Sequence, residues 1–590
     1  MPSSSVRDAL PVLARSLCAA AFLAAASLAS QSGGEHRPAP TTRGAAREAA
    51  RAGAVPRVGL VVVLAVDQMS PEQLERLRPW LSGGLRRFLD EGLVFRDAEL
   101  RHGVTETAPG HASLGTGLDP THHGIVANEW WVHGAKPKVY SVADPDVRAL
   151  TGAGASTSPE YESSRLSPRN LRAPGIADFL RAADPASKSC SISSKDRAAV
   201  TLAGRRPDWA LWWDRQRGGF MSSTWYGEQL PSWVRAWNEG WTRRLHERFG
   251  GGWQADFPPD FEASGTAADD RPGEAGLSGG RTFPHALPGA GEPETADPKR
   301  LAAGVYGSPA GDEFVLELAR EACIALALGA DEHVDLLAIS LSSCDTVGHS
   351  FGPASREVSD VLLRADRELG ELFELLDQRI GRQGYVAALS ADHGVLELPE
   401  ALQARGIGAR RVPGRALTET VERAREALER RFGEDFYVAH DARGLVLARE
   451  RIEALGLDAA EVRRSAAREL AVAGSEWLEA AWTWEQLQAA ARGPAPALGW
   501  IAAEARSFDE ERSPDVTLLC KPWHLVGMSS GTSHGTPYPY DRRVPLAFLG
   551  AAFAPGESWE HAASVDVVPT LLASLGIEVP AGLDGRALAR

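Results

Sequence analysis

Short, continuous apolar runs punctuate the chain, and polar residues follow each one. VGLVVVLAV (58–66) has no charged or amide position, as a strand covered on both faces requires, and Asp67 follows it directly. Ser70-Pro71-Glu72-Gln73 then offers an N-cap, a proline at the first helical position and a capping-box partner, so a helix is predicted after the strand. The same grammar recurs at VDLLAISL (334–341) ahead of Asp345, at YVAALS (385–390) ahead of Asp392 and His393, and at VTLLC and VPLAFLG nearer the C-terminus. Amphipathic stretches such as 357–376 lie between. This alternation predicts an α/β fold, a doubly wound and mostly parallel sheet with helices on both faces and a site outside the carboxyl ends of its strands.

Two segments break the pattern. Residues 200–305 are read as a Trp-rich insertion, because Trp209 to Trp253 holds eight of the 17 Trp and a Gly/Pro/Asp-rich stretch follows. Residues 396–512 are rich in Ala, Glu and Arg, with helical periodicity over RALTETVERAREALERRF, and predict a smaller α+β lobe. The main domain is then 58–395 with 513–590. At the start, Arg7 and Arg15 precede the uncharged LCAAAFLAAASLA (17–29), which reads as a signal peptide over 1–29 with a linker over 30–57. Its apolar stretch is short of the ~20 residues that span a bilayer. The mature chain is expected to be periplasmic or secreted, without stable membrane insertion.

Composition narrows the partners. Sixty-three Lys and Arg against 78 Asp and Glu give a net charge of −15 over 590 residues, which argues against embracing nucleic acid by phosphate neutralisation. Any anionic substrate must be captured locally. Beyond the leader stand Cys190, Cys323, Cys344 and Cys520. Up to two disulfides in three connectivities, or buried free thiols, are both compatible with them.

Carboxylates and imidazoles gather after the apolar runs: Asp67; Asp345 with His349; Asp392 with His393; and His534 in GTSHGTPYPYD. Three Asp and three His suffice for two divalent ions with mixed oxygen and nitrogen ligands, a chemistry that suits zinc. Thr107, in TETAPGH ahead of a predicted helix near Ala108, is a candidate nucleophile, since a helix N-terminus favours an anion; the alternative is a simple helix cap. In SSKDRAA, an extended backbone would turn Lys195 and Arg197 to the same side, where they could grip phosphoryl oxygens.

Taken together, VDQM, TAPGHASLGTG, HGIVANEWW, SSKDRAA, CDTVGHSFGP, SADHG and SGTSHGTPYPYDRRVPL resemble the motifs of the alkaline phosphatase superfamily. Within it, they resemble the phosphate-irrepressible alkaline phosphatases related to nucleotide pyrophosphatase/phosphodiesterases. The resemblance covers nearly all of 58–590. It implies two zinc ions, one on Asp345, His349 and His534 and the other on Asp67, Asp392 and His393, with Thr107 between them as nucleophile and ligand. It also implies that Asn128, Lys195 and Arg197 bind the phosphoryl group, the Lys/Arg pair marking phosphate monoesterases. Small phosphate esters are the expected substrates. A phosphodiesterase or nucleotide pyrophosphatase is the alternative, and a non-catalytic secreted binding protein a remote one. A sulfatase is disfavoured, since the nucleophile position lacks a Cys- or Ser-x-Pro-x-Arg signature.

Overall fold

The computed structural model describes residues 57–589 apart from 133–137, 153, 262–267, 279 and 494–497. The predicted leader and all but the last residue of the predicted linker lie outside the described residues.

Five parallel strands form the centre of an eleven-stranded sheet. They are β1 (Leu60–Val66), β2 (Ser189–Ser193), β3 (Trp209–Trp213), β4 (Asp335–Leu341) and β5 (Tyr385–Ser390), in spatial order β5-β1-β4-β2-β3. Pairing turns antiparallel on both flanks, where Leu546–Gly550 joins β5 and Phe220–Ser223 joins β3. Strand β1 explains why the sequence has no polar face there. Leu60, Val62, Leu64 and Val66 enter one core with Phe88, Leu369 and Phe373, while Val61, Val63 and Ala65 enter a second with Leu114, Ile176 and Leu571. Helices therefore cover both faces, as the apolar runs predict.

Helices follow the strands as the capping signals require. Helix α1 (Pro71–Leu77) opens on Ser70, whose hydroxyl accepts from Gln73 N–H while the Gln73 side chain accepts from Ser70 N–H. Helix α2 is Thr107–Thr116, α3 is Asp196–Leu202, α4 is Ser343–Phe351 and α5 is the 25-residue Arg356–Ile380. The Trp-rich segment adds to the main core: β3 lies within it, and Trp213, Trp237, Trp241 and Trp253 bury among the residues that pack on β1.

The 396–512 region supplies three strands of a separate four-stranded antiparallel sheet, over a core that includes Val421, Leu445, Val462 and Leu470. One expectation changes here. VTLLC (Val516–Cys520) is a strand, but it pairs with Gly444–Leu447 and Leu478–Thr483 and belongs to this lobe, so the lobe's sheet runs past residue 512. Its apolar run matched a central strand in hydropathy, and only the pairing partners separate the two cases. The four cysteines among the described residues are free thiols, three of them buried. No helix among the described residues is long and apolar enough to cross a membrane.

Candidate active site

The carboxyl ends of β1, β4 and β5 converge. Asp67 follows β1; α4 begins two residues after β4 and carries Asp345 and, one turn on, His349; Asp392 and His393 follow β5. Asp67, Asp345, Asp392 and His393 are buried. His534 arrives from the loop after the lobe and stacks on His393 with ring centroids 3.5 Å apart.

The imidazoles share one arrangement. The Nδ1 atoms of His349, His393 and His534 lie 2.8, 3.0 and 2.6 Å from the carbonyls of Thr532, Gly394 and Thr105, respectively. A carbonyl can only accept, so each Nδ1 carries the proton in neutral imidazole and each Nε2 presents a lone pair. Those Nε2 atoms face carboxylate oxygens: His349 and His534 lie 3.2 and 3.6 Å from Asp345 Oδ1, and His393 lies 3.4 Å from both Asp67 Oδ1 and Asp392 Oδ2. Asp67 Oδ1, Asp392 Oδ2 and His393 Nε2 are buried without a hydrogen-bond partner among the described residues. Acceptor lone pairs aimed at carboxylates are accounted for by a cation between them, so this donor set fits a divalent metal.

The ligand sets sort themselves unevenly. Asp67, Asp392 and His393 bring ligand atoms within 4.8 Å of one another. Around Asp345 the corresponding group is His393 with His534, because the stacked His393 sits between both carboxylate clusters. His349 Nε2 stands 3.2 Å from Asp345 Oδ1 at the edge of that group.

Lys195 lies deeper than a surface cation. Its buried Nζ is 2.5 Å from Asp67 Oδ2 and 2.5 Å from Asp345 Oδ2. Burial penalises that ammonium, yet the two carboxylates outweigh the penalty and hold its pKa up. Asp67 is pushed well above the usual carboxylate range by burial and by Asp392. For Asp345, burial pushes up, but His349 and Lys195 hold it well below that range. The extended backbone expected for SSKDRAA ends at Lys195, which is the N-cap residue of α3; Arg197 sits in that helix's first turn. The early helix start replaces the same-side alternation, and the two side chains reach different walls of the site. Arg197 Nη2 donates to Thr107 Oγ1 at 3.2 Å.

Thr107 is the first residue of α2, and its hydroxyl does not cap that helix. The preceding N-cap residue, Glu106, makes no capping bond either. Its carboxylate instead accepts from Asn128 N–H at 2.7 Å and from Arg443 Nη1 at 2.8 Å. Asn128 Oδ1 accepts from Ala108 N–H at 2.9 Å. Thr107, Asn128, Arg197, Asp345, His349 and His534 all line one open cavity of about 380 Å³.

Sequence reasoning missed several supports. Gln68, at φ 71°, donates its amide to Asp345 Oδ1 at 2.7 Å and its backbone N–H to Asp392 Oδ1 at 3.2 Å. His111, one turn after Thr107, bonds the Thr107 carbonyl at 2.9 Å and stands 3.2 Å from Asp392 Oδ2. The i,i+4 spacing of Thr107 and His111 was the available signal; Gln68, Glu106 and Arg443 gave none.

A doubly wound sheet gathers three Asp and three His beside a helix-borne threonine and two cations, a donor set compatible with phosphoric ester hydrolysis. The chain belongs to the type I phosphodiesterase / nucleotide pyrophosphatase family, which its residues 61–539 match. It is 31% identical to the alkaline phosphatase PhoV of Synechococcus elongatus, over 90% of this chain and 93% of PhoV. It is also 31% identical to the alkaline phosphatase PafA of Elizabethkingia meningoseptica, over 91% of this chain and 95% of PafA. The crystal structure of wild-type PafA superposes with a TM-score of 0.80, covering 91% of this chain and 99% of that one at 29% identity.

Proposed function

We propose that this protein is a secreted, two-zinc phosphate monoester hydrolase that works through a phosphothreonine at Thr107. The observation that carries the reading is the placement of the Thr107 hydroxyl at the head of α2, 3.2 Å from Arg197 Nη2 and in one cavity with Asn128, Asp345, His349 and His534. Asp345, His349 and His534 would hold one ion, and Asp67, Asp392 and His393 the other, with Thr107 as a further ligand. Bound zinc would supply charge neutralisation at the attacking and leaving oxygens.

The chain's own groups account for the rest. Thr107 Oγ1 gives up its proton to solvent and attacks phosphorus while the P–O ester bond breaks and its oxygen leaves as the alcohol on taking up a proton. Water then attacks the phosphothreonine, freeing inorganic phosphate and restoring the Thr107 hydroxyl, so one displacement becomes two easier ones. The first-turn N–H groups of α2 favour the anion at that position. Arg197 holds nonbridging oxygens by its planar fork, and Lys195 contributes a point charge beside Asp67 and Asp345. Asn128 Oδ1 is taken by Ala108 N–H, which leaves its Nδ2 as the donor for a phosphoryl oxygen. A monoester dianion presents three such oxygens and a diester only two with less charge, so this donor set favours monoesters.

A solved variant of PafA supports these four assignments. It replaces a threonine, an asparagine, a lysine and an arginine together. In it the Thr and Asn are 21 residues apart, as are Thr107 and Asn128, and the Lys and Arg are two apart, as are Lys195 and Arg197. Membership of the type I phosphodiesterase / nucleotide pyrophosphatase family favours the second reading, a phosphodiesterase or nucleotide pyrophosphatase. A panel of aryl phosphate and bis-aryl phosphate assayed before chelation, after it, and after zinc return tests both. The proposal expects faster monoester hydrolysis, lost on chelation and restored by zinc; faster diester hydrolysis supports the second reading.

A further inference from the structure

Arg443 belongs to the smaller lobe. It lies in the turn between Tyr437–Asp441 and Gly444–Leu447, and that turn is fixed: Arg443 N–H donates to Asp441 Oδ1 at 2.9 Å, and its carbonyl accepts from Leu518 N–H at 2.8 Å. From there its guanidinium crosses to the main sheet's side of the site and bonds Glu106 Oε1. The other Glu106 oxygen holds the Asn128 backbone N–H, whose carbonyl in turn accepts from Ser141 N–H at 2.9 Å. The Asn128 side chain is then tied by its Oδ1 to Ala108 N–H, the backbone next to Thr107.

These bonds form one path from the lobe to the phosphoryl donor. A carboxylate at an N-cap commonly satisfies its own helix's N–H groups; Glu106 does not, because both of its oxygens are engaged across elements. Two more bonds dock the lobe on the strand-to-helix segment before Thr107: Gly103 N–H donates to Ala503 O at 2.8 Å, and Val104 N–H to Ser507 Oγ at 3.0 Å. The segment carrying Glu106 and Thr107 is therefore held from the lobe's side.

We infer that Arg443 is a positioning residue: through Glu106 it fixes Asn128 so that the Asn128 amide meets a nonbridging phosphoryl oxygen. The inference rests on the monoesterase reading above and assigns to the lobe a part in setting the geometry of phosphoryl binding. Arg443 itself touches no reacting atom in this scheme.

The test uses the full-length, metal-loaded enzyme. Arg443→Ala, Arg443→Lys, Asn128→Ala and the Arg443→Ala/Asn128→Ala double variant are compared by kcat/KM on an aryl phosphate, with metal content and thermal unfolding followed in parallel. Arg443→Ala is expected to lose about 10- to 100-fold, the scale of a small misplacement in an active site, and Arg443→Lys to recover part of it. The double variant should be no worse than Asn128→Ala within about 2-fold, because an Arg443 that acts through Asn128 has nothing left to position. If Arg443→Ala unfolds, Glu106→Gln, which leaves the lobe intact, should show the same non-additivity with Asn128→Ala. Wild-type activity in Arg443→Ala, or losses that multiply on an already impaired Asn128→Ala, overturn the inference alone. Wild-type monoester activity in Asn128→Ala overturns the phosphoryl-donor role of Asn128 and the inference with it, whereas faster hydrolysis of a bis-aryl phosphate by the wild-type enzyme overturns the monoesterase reading on which the inference rests.

Discussion

Arg197 donates from the first turn of α3 to the hydroxyl of Thr107, 90 positions earlier in the chain, at 3.2 Å. The two helices pack directly, and Gly115 of α2 lies so near the Leu202 carbonyl that a Cβ there would be 2.2 Å from it. The cation and the hydroxyl are thus set against each other by backbone contact.

That relationship, with Lys195 between Asp67 and Asp345, predicts selectivity for dianions. Replacing Lys195 and Arg197 together with Ala should lower kcat/KM for an aryl phosphate by about 100-fold or more, the scale of losing a preorganised transition-state donor. A bis-aryl phosphate should lose distinctly less. Parallel steady-state assays on both substrates check this, and equal losses would contradict the proposed division of labour.

Gly110 is where α2 crosses the turn after β5. A Cβ there would stand 2.1 Å from the Asp392 carbonyl oxygen, which is backbone and cannot swing aside. Gly110→Ala must therefore separate Thr107 from Asp392, at an overpacking cost of about 1–3 kcal/mol. Activity should fall at least about 100-fold while the chain remains folded by circular dichroism. Gly408→Ala, where a Cβ meets nothing within 4 Å, is the control and should match wild type.

Burial pushes the Glu504 carboxyl up to about 7, with Arg443 pulling down and Glu106 pushing up. Its ordinary value is near 4.5. Between those values the folded state binds more protons than the unfolded chain, so stability falls as pH rises through that window, and above it the full penalty of the buried carboxylate remains without further change. Glu504→Gln removes the dependence. Denaturant unfolding at pH 5 and pH 8 should show the variant gaining on wild type at pH 8; the same difference at both values would contradict the assignment.

How much of this could be read from the sequence follows the range of the interactions. Strand β1, the Ser70 cap, and Asp67 and Asp392 at strand ends depend on neighbours within a few residues, and the apolar runs marked them. The sequence marks Lys195 and Arg197 by residue type, but the extended backbone it suggests for them gives way to a helix beginning at Asp196. Apolar runs fail where two sheets compete for one strand, as Val516–Cys520 demonstrates. Gln68, Glu106 and Arg443 act across 277, 22 and 337 positions to their partners, distances at which no local pattern carries information.

The central claim is that the phosphoryl group passes through Thr107. Enzyme quenched in acid during turnover of an aryl phosphate, digested and mapped by mass spectrometry, tests it most directly. The account predicts a phosphorylated peptide with the group on Thr107, absent from Thr107→Ala, which should be inactive yet retain its metal. Phosphate found on another residue, or turnover preserved in Thr107→Ala, would contradict it.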